Sequence, residues 1–361
     1  MIFDCYTDWG QLPESANALF AQAEKDNVFF SRLWFESLTA TTLDDDQSLV
    51  LACVEDGNNV LAILPLMDCG GIAWRSLKHG FTPLYTLLLA DEDQERVLSC
   101  LAQGLNQLPI TGLLLEPVAE DDSRLNHFKQ AMEKAGFSCD YTFRSYNWIY
   151  RLQGQSYLEY MGARPAHVRN TIARKQRKLA REHGYEIKLF TGNAVLHHMP
   201  DYNAVYNASW KQNELDNAGF LDCFIERFSI AGWSRLAILY VKSQPVAAQI
   251  WFVNHGKASI FRLAYDKTWR HYSVGSILTS FLMEYVIDTD KVSEIDFLTG
   301  NDAYKQDWMS ERRERFLLAC IKKEKPATKS AQRGRSVKNM LQNILRRARS
   351  AAIRRAHSEN A

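Results

Sequence analysis

The stretch YDKTWRHYSVGSIL, Tyr265 to Leu278, decides how the second half of this chain is read. An apolar run ends at Tyr265, a short polar loop carries Arg270 and His271, and a helical pattern opens at Ser273-Val274-Gly275-Ser276. Ser273 is expected to cap that helix. The first amides of a helix have no partner within it, and the helix dipole adds to their pull on anions. A glycine in the first turn lets an anionic group come close to the backbone. The pattern therefore predicts a diphosphate cradle formed by Ser273, Val274, Gly275 and Ser276, with Arg270 and His271 beside it. A glycine after a cap also marks an ordinary helix start, so the surrounding order of elements matters.

Working outward, Arg235–Val241 and Val246–Val253 read as strands joined at Ser243-Gln244-Pro245, and Ala258–Tyr265 as a third joined through Asn254-His255-Gly256-Lys257. The helix Val274–Ile287 places apolar residues at 277, 278, 281, 282, 285 and 286, which is the helical period. Ser293–Leu298 and Phe316–Ile321 are further strands, with a short helix between them. The order is strand, strand, strand, helix, strand, short helix, strand. The first half hints at the same order. Ser48–Val54 and Val60–Met67 flank the turn Glu55-Asp56-Gly57-Asn58-Asn59, Gln94–Leu105 and Leu125–Ala135 have helical spacing, and Gly112–Leu115 reads as a buried strand. The run LYTLLLA also reads as a buried strand. The fold class predicted is α/β (α+β), with an internal duplication into two domains of mostly antiparallel mixed sheet flanked by helices.

Between the halves, ARPAHVRNTIARKQRKLAREHG carries seven Lys and Arg against Glu182, with Val168, Ile172, Lys175 and Leu179 on one face. It reads as a basic linking helix, either solvated or facing phosphates. Past Pro326, the residues Val337, Met340, Leu341, Ile344, Leu345, Ala348 and Ala352 form an apolar stripe among arginines. A basic amphipathic helix there would lie on a membrane surface, dock on a partner, or fold back on the acidic N-terminal domain. The expected divisions are 1–155, the linking helix 156–184, 185–325, and a linker and tail helix 326–361.

The chain has 361 residues, 46% hydrophobic and 24% charged, room for two ordinary cores. Its net charge of +1 hides an asymmetry. Residues 1–150 carry nine Lys and Arg against 22 Asp and Glu, and the tail from Pro326 carries nine against one. Seven scattered cysteines with no CxxC pair point to reduced, mostly buried thiols, and the nine histidines lack metal-ligand spacing. No secretory leader is legible at the N-terminus, and no apolar run approaches the roughly 20 residues of a spanning helix. A cytoplasmic protein, with peripheral contact to an inner membrane through residues 336–356, is the expectation.

The second informative stretch is IDFLTGNDAYKQDWM, Ile295 to Met309. A buried strand breaks at Gly300 and then presents Asp302, Tyr304, Lys305 and Trp308, more chemistry than a connector requires. Catalysis by proton transfer needs a base, an acid near the leaving group and donors for developing negative charge. Glu214 or Asp296 could be the base and Tyr304 the acid. Asp302 and Lys305 could hold an acceptor, and Trp308 could offer a flat face to a ring. Each has a plainer reading: Asp296 paired with Arg262, Lys305 as a solvated charge, Trp308 as core.

From Ser209 to Leu318 the chain resembles the GCN5-related N-acetyltransferase (GNAT) superfamily, in the branch grouped with FemABX-type transferases and CelD-like proteins of cellulose biosynthesis. The matching stretches are SWKQNE (209–214), PVAAQIWFV (245–253), AYDKTWRHYSVGSIL (264–278) and IDFLTGNDAYKQDWMSERRER (295–315). The superfamily's glycine-rich loop is only partly kept in Arg270–Gly275. The resemblance implies two tandem GNAT-like domains, an acyl-CoA donor such as acetyl-CoA, no metal, and acceptor contacts that include Trp210 and Lys211. It implies an N- or O-acyltransferase acting on a cell-envelope polysaccharide or sugar-related metabolite. Two alternatives stay open. One is a FemABX-like transferase drawing its aminoacyl group from tRNA held by the basic helix. The other is a non-catalytic docking protein of envelope biosynthesis.

Overall fold

The structure is a computed structural model that describes residues 1–70, 73–209 and 218–323. The expectations placed on Trp210, Lys211, Glu214 and the tail from Pro326 lie outside them. The chain forms two compact units, Met1–Tyr146 with Arg313–Ala361, and Asn147–Arg312. Among the described residues no helix is long and apolar enough to cross a membrane.

The first unit begins with β1 (Ile2–Tyr6), α1 (Ala16–Asp26) and α2 (Arg32–Thr41). The strands β2 (Ser48–Asp56), β3 (Asn59–Asp68), β4 (Ala73–Ser76) and β5 (Leu88–Leu89) follow. Then come α3 (Gln94–Gln107), β6 (Gly112–Val118), α4 (Ser123–Lys134) and the long β7 (Phe137–Arg151). The sheet order is β1-β2-β3-β4-β6-β13-β7, with β5 beside β3. Here β13 is the chain's last described strand, Glu311–Lys322. The hairpin at Gly57 forms as its turn residues predict, with Gly57 at φ +60°. LYTLLLA is buried but is strand only at Leu88–Leu89. Side chains take over from a ladder there: the Tyr85 hydroxyl donates to the Pro65 carbonyl at 2.6 Å and Thr86 donates to Asp122 at 2.6 Å. A groove of about 510 Å³ lies between α3 and α4, lined by Gln94, Ser99, His127 and Gln130 among others. None of the candidate site residues read from the sequence lines it.

The second unit contains α5 (Tyr157–Gly162), α6 (Ala166–Glu182), β8 (Glu186–Thr191), α7 (Ala194–His197), α8 (Met199–Ala208) and α9 (Ala218–Ile230). It continues through β9 (Ser234–Val241), β10 (Gln244–Asn254), β11 (Lys257–Tyr265), α10 (Val274–Asp288), β12 (Glu294–Thr299) and α11 (Ala303–Trp308). The sheet order is β7-β12-β11-β10-β9-β8, where β7 contributes its last residues. Strands β8 to β11 are antiparallel, β11 and β12 are parallel, and β12 is antiparallel to β7. The apolar face of α10 closes the core, with Ile277, Leu278, Leu282, Met283 and Val286 at 0% exposure. Each such side chain contributes about 1.5–3 kcal/mol through burial.

The predicted duplication is present. Apart from the two-residue β5, the series β2-β3-β4-α3-β6-α4-β7 matches β9-β10-β11-α10-β12-α11-β13 in element type and order, and in each the strand after the helix pairs parallel to the third. The closing strands are exchanged. Strand β7 ends the first series yet pairs β12, and β13 ends the second yet pairs β6. This moves the boundary from the expected residue 155 to between Tyr146 and Asn147. Helix α6 is also no free-standing linker, because Val168, Ile172 and Leu179 are buried in the second unit's core. Arg164, just before α6, lies 4.6 and 4.9 Å above the rings of Tyr150 and Tyr160 and donates to the Trp308 carbonyl.

Candidate functional site

The parallel pairing of β11 and β12 brings the segments that follow both strands to one edge of the second unit's sheet. The pairing covers only Lys257–Ser259 against Glu294–Asp296. Strand β11 then runs on to Tyr265 beside β10, while β12 is bent by a bulge between Asp296 and Thr299. The strands part after three ladder pairs, and the two sequence stretches singled out above flank the gap.

The bulge has a specific construction. Leu298 takes φ +55° and Gly300 φ +126°. Asp296, 5% exposed, accepts from the Leu298 amide at 2.7 Å and from the Asn147 amide side chain at 2.5 Å, both on Oδ1. Lys305, 4% exposed, donates to the carbonyls of Phe297 at 3.0 Å and Thr299 at 2.6 Å. Its ammonium is 3.7 Å from the Asp302 carboxylate. Glycine is favoured at Gly300 by its backbone angle, and a Cβ there would also press on the Lys305 Nζ at 2.9 Å.

Three expectations change as a result. Lys305 is neither a solvated charge nor free for an acceptor, because the irregular strand end exposes carbonyls that its ammonium satisfies. Asp296 holds the bulge instead of standing open as a base. Trp308 is core at 4% exposure, and its carbonyl accepts from the Tyr160 hydroxyl at 2.7 Å. Asp302 and Tyr304 do face solvent. The Asp302 side chain is 60% exposed, and Tyr304 is 43% exposed with its ring centroid 6.2 Å from that of Phe297. Desolvation first, and the Asp302 carboxylate second, hold the Tyr304 phenol above its ordinary value.

The other flank is the 3₁₀ helix Lys267–Tyr272 followed by α10. Ser273 does not cap. It sits in the left-handed region at φ +55°, its side chain accepts no cap hydrogen bond, and its own amide donates to the Arg270 carbonyl at 3.0 Å. The tight 3₁₀ turn forces that conformation on Ser273 and leaves the opening amides of α10 without a side-chain partner. Val274 is buried and can offer only its backbone, whereas Gly275 and Ser276 are half-buried. A Cβ on Gly275 would meet Tyr265 Cδ1 at 3.0 Å, so this glycine also serves the packing of that ring. Arg270 and His271 are exposed.

Helix α6 grips this loop. The Lys175 ammonium donates to the His271 carbonyl, and the Tyr272 hydroxyl donates to Glu182 at 2.8 Å while pairing with His183 Nε2 at 2.7 Å. Lys178 lies 5.0 Å above the Tyr272 ring. Hydrogen bonds from Arg181 first and Tyr272 second hold the Glu182 carboxyl below its ordinary value. The basic helix thus braces the loop with part of its charge, while Arg169, Arg174 and Arg177 remain exposed.

One contributor was not foreseen. Gln249, at 0% exposure in β10, donates from Nε2 to the Gly275 carbonyl at 3.1 Å and to Thr279 Oγ1 at 2.8 Å. It accepts from the Trp251 indole at 2.9 Å. A primary amide inside the apolar run VAAQIWFV was the signal for it.

Residues 166–306 match the acetyltransferase (GNAT) domain family. No curated protein matches the chain by sequence. Among solved structures, FemX aligns with a TM-score of 0.56 at 10% identity, covering 87% of this chain and 96% of that one. The C-terminal domain of a putative lysylphosphatidylglycerol synthetase from Agrobacterium fabrum aligns with a TM-score of 0.54 at 11% identity, covering 84% and 92%. A conserved protein of unknown function from Bacteroides thetaiotaomicron reaches 0.56 at 13% identity, covering 89% and 100%. At these identities the three structures speak for the fold.

Proposed function

We propose that this chain, whose residues 166–306 match the acetyltransferase (GNAT) domain family and whose fold is shared with FemX, is an acyl-CoA-dependent acyltransferase whose donor enters between β11 and β12. The observation that carries the reading is the parting of these strands after three ladder pairs, with the uncapped N-terminus of the 15-residue α10 at the edge of the gap. The residues suit a diphosphate. Among the described residues no side chain caps the amides of Gly275 and Ser276, and Arg270 and His271 add exposed positive or polarisable groups beside them.

When bound, an acyl-CoA supplies an activated acyl carbon with a thiolate leaving group. The chain's part is to hold, orient and manage protons. Tyr304 keeps its proton on Oη at neutral pH and is the candidate general acid. Glu214 is the candidate base, with Trp210, Lys211 and Asp302 as acceptor contacts. The acceptor we propose is an amine or hydroxyl of a cell-envelope polysaccharide or sugar-related metabolite, a reading that rests on the resemblance of stretches 209–214 and 295–315 to FemABX-type and CelD-like sequences.

A second reading, transfer of an aminoacyl group from tRNA, draws on the exposed Arg169, Arg174 and Arg177 of α6. Thermal shift decides between them. A ligand at 100 times its Kd adds about 2.7 kcal/mol of stability. Acetyl-CoA or a longer acyl-CoA should raise the Tm. A flat response to every acyl-CoA, with a salt-sensitive rise on aminoacyl-tRNA, would overturn the first reading in favour of the second.

A further inference from the structure

We propose that Gln249 is a positioning residue that aims the Ser276 backbone N–H at the donor's diphosphate. This rests on the donor reading above and adds to it the device that holds the cradle in shape. Gln249 lies in β10, whose neighbours are β9 and β11. A buried primary amide is costly unless its groups are paired. Here both ends are engaged, Oε1 by Trp251 and Nε2 by Gly275 and Thr279. The amide cannot flip, because a flip would set Oε1 against the Gly275 carbonyl and the NH₂ against the indole N–H.

The consequence passes through one peptide plane. Gly275 C=O and Ser276 N–H belong to the same trans peptide, which is planar, and they point in opposite directions. The carbonyl is held inward by Gln249 Nε2 and by Thr279 Oγ1, the latter at 3.0 Å. The Ser276 N–H is therefore held pointing out of the helix start. Without Gln249 the carbonyl keeps its helical partner, the Thr279 amide, and Thr279 Oγ1, but loses its restraint from the strand side, and Gly275 has no side chain to replace it. Ser273 cannot compensate, because its side chain makes no cap bond.

The test is coenzyme A binding to full-length Gln249→Leu and Thr279→Val, read by calorimetry and by backbone amide NMR. In the wild type, coenzyme A should move the Ser276 amide proton downfield as it bonds to phosphate. Gln249→Leu should weaken the Kd about tenfold and shrink the Ser276 shift more than those of Ile277 and Leu278. Thr279→Val should weaken the Kd about threefold, and Thr279→Ser should restore it. A general loss of packing would move all three amides together and would not be rescued by serine. A folded Gln249→Leu with an unchanged Kd overturns the proposal. If Gln249→Leu does not fold, an unchanged Kd in Thr279→Val overturns it instead. A wild type that binds no coenzyme A at all defeats the donor reading first, which separates the two failures.

Discussion

Replacing Lys305 by Met tests whether this residue serves the fold or the acceptor. In the native protein the buried ammonium bridges the Phe297 and Thr299 carbonyls at 3.0 and 2.6 Å. Hydrogen bonds to a charged group contribute roughly 1.5–3 kcal/mol each, but the change is not their sum. Thr299 is exposed, so its carbonyl regains water, whereas Phe297 at 4% exposure does not. One stranded carbonyl costs about 1–3 kcal/mol. Removing a buried charge returns part of its desolvation penalty, and Met fills similar volume. The net expectation is a loss of about 2 kcal/mol. For a unit of this size that is a fall in Tm of about 4–8 °C, measured by differential scanning fluorimetry against wild type. Acceptor KM should be unchanged once the variant is folded. A Tm within about 1 °C of wild type together with a raised KM would refute the structural assignment and return Lys305 to the acceptor site.

Ser273→Gly should stabilise the protein by about 0.5–1 kcal/mol in urea unfolding, because it relieves a left-handed backbone at φ +55° and removes no cap bond. Destabilisation would show that the hydroxyl has a role. Tyr304→Phe should cut turnover by about 10²-fold at neutral pH with an unchanged Tm, as expected of a lost proton donor. Trp308→Ala should cost about 3–5 kcal/mol as a core truncation, and a near-neutral Tm would contradict its burial. For Glu182, whose folded-state value is lowered, the contribution is present above the ordinary carboxylate value of about 4.3 and is lost as pH falls through the lowered value. NMR of Tyr272 should therefore show the clasp on α6 intact near pH 6 and loosening only at strongly acidic pH.

The second half was legible because its signals are local. Helix α10 was expected at Val274–Ile287 and spans Val274–Asp288, and the strand expected at Ala258–Tyr265 spans Lys257–Tyr265. Apolar period and turn residues mark such boundaries. Strand β7 was missed because FSCDYTFRSYNWIYR mixes polar and aromatic residues without clean alternation. The roles of Lys305 and Ser273 were hidden for another reason. Each depends on a neighbour's backbone, the left-handed Leu298 in one case and the 3₁₀ turn in the other, and side-chain identity does not report backbone angle. The apolar face of α6 was legible in Val168, Ile172 and Leu179, but which core it enters was not, because that depends on contacts far away in sequence. Gln249 was visible as an amide in an apolar run, but its partner Gly275 lies 26 residues away and only the fold brings them together.

The exchanged closing strands link the site to the whole chain. The β6–β13 ladder pairs Val118 with Phe316, and the β7–β12 ladder pairs Ile149 with Asp296. Both join residues far apart in sequence. Closing a loop of order 200 residues instead of 10 costs about 2–3 kcal/mol more by the logarithmic rule, a modest penalty that the paired strands recover. The kinetic effect is larger, since such pairings form late. A cut at residue 155, where composition suggested a boundary, would leave β6 without β13. It would also leave Asp296 without Asn147, which shares its Oδ1 with the bulge amide of Leu298. The bulge that parts β12 from β11 is therefore held partly by the end of the first repeat. The gap proposed for the donor is thus a property of the duplicated chain, and the 166–306 segment alone lacks the strand that shapes it.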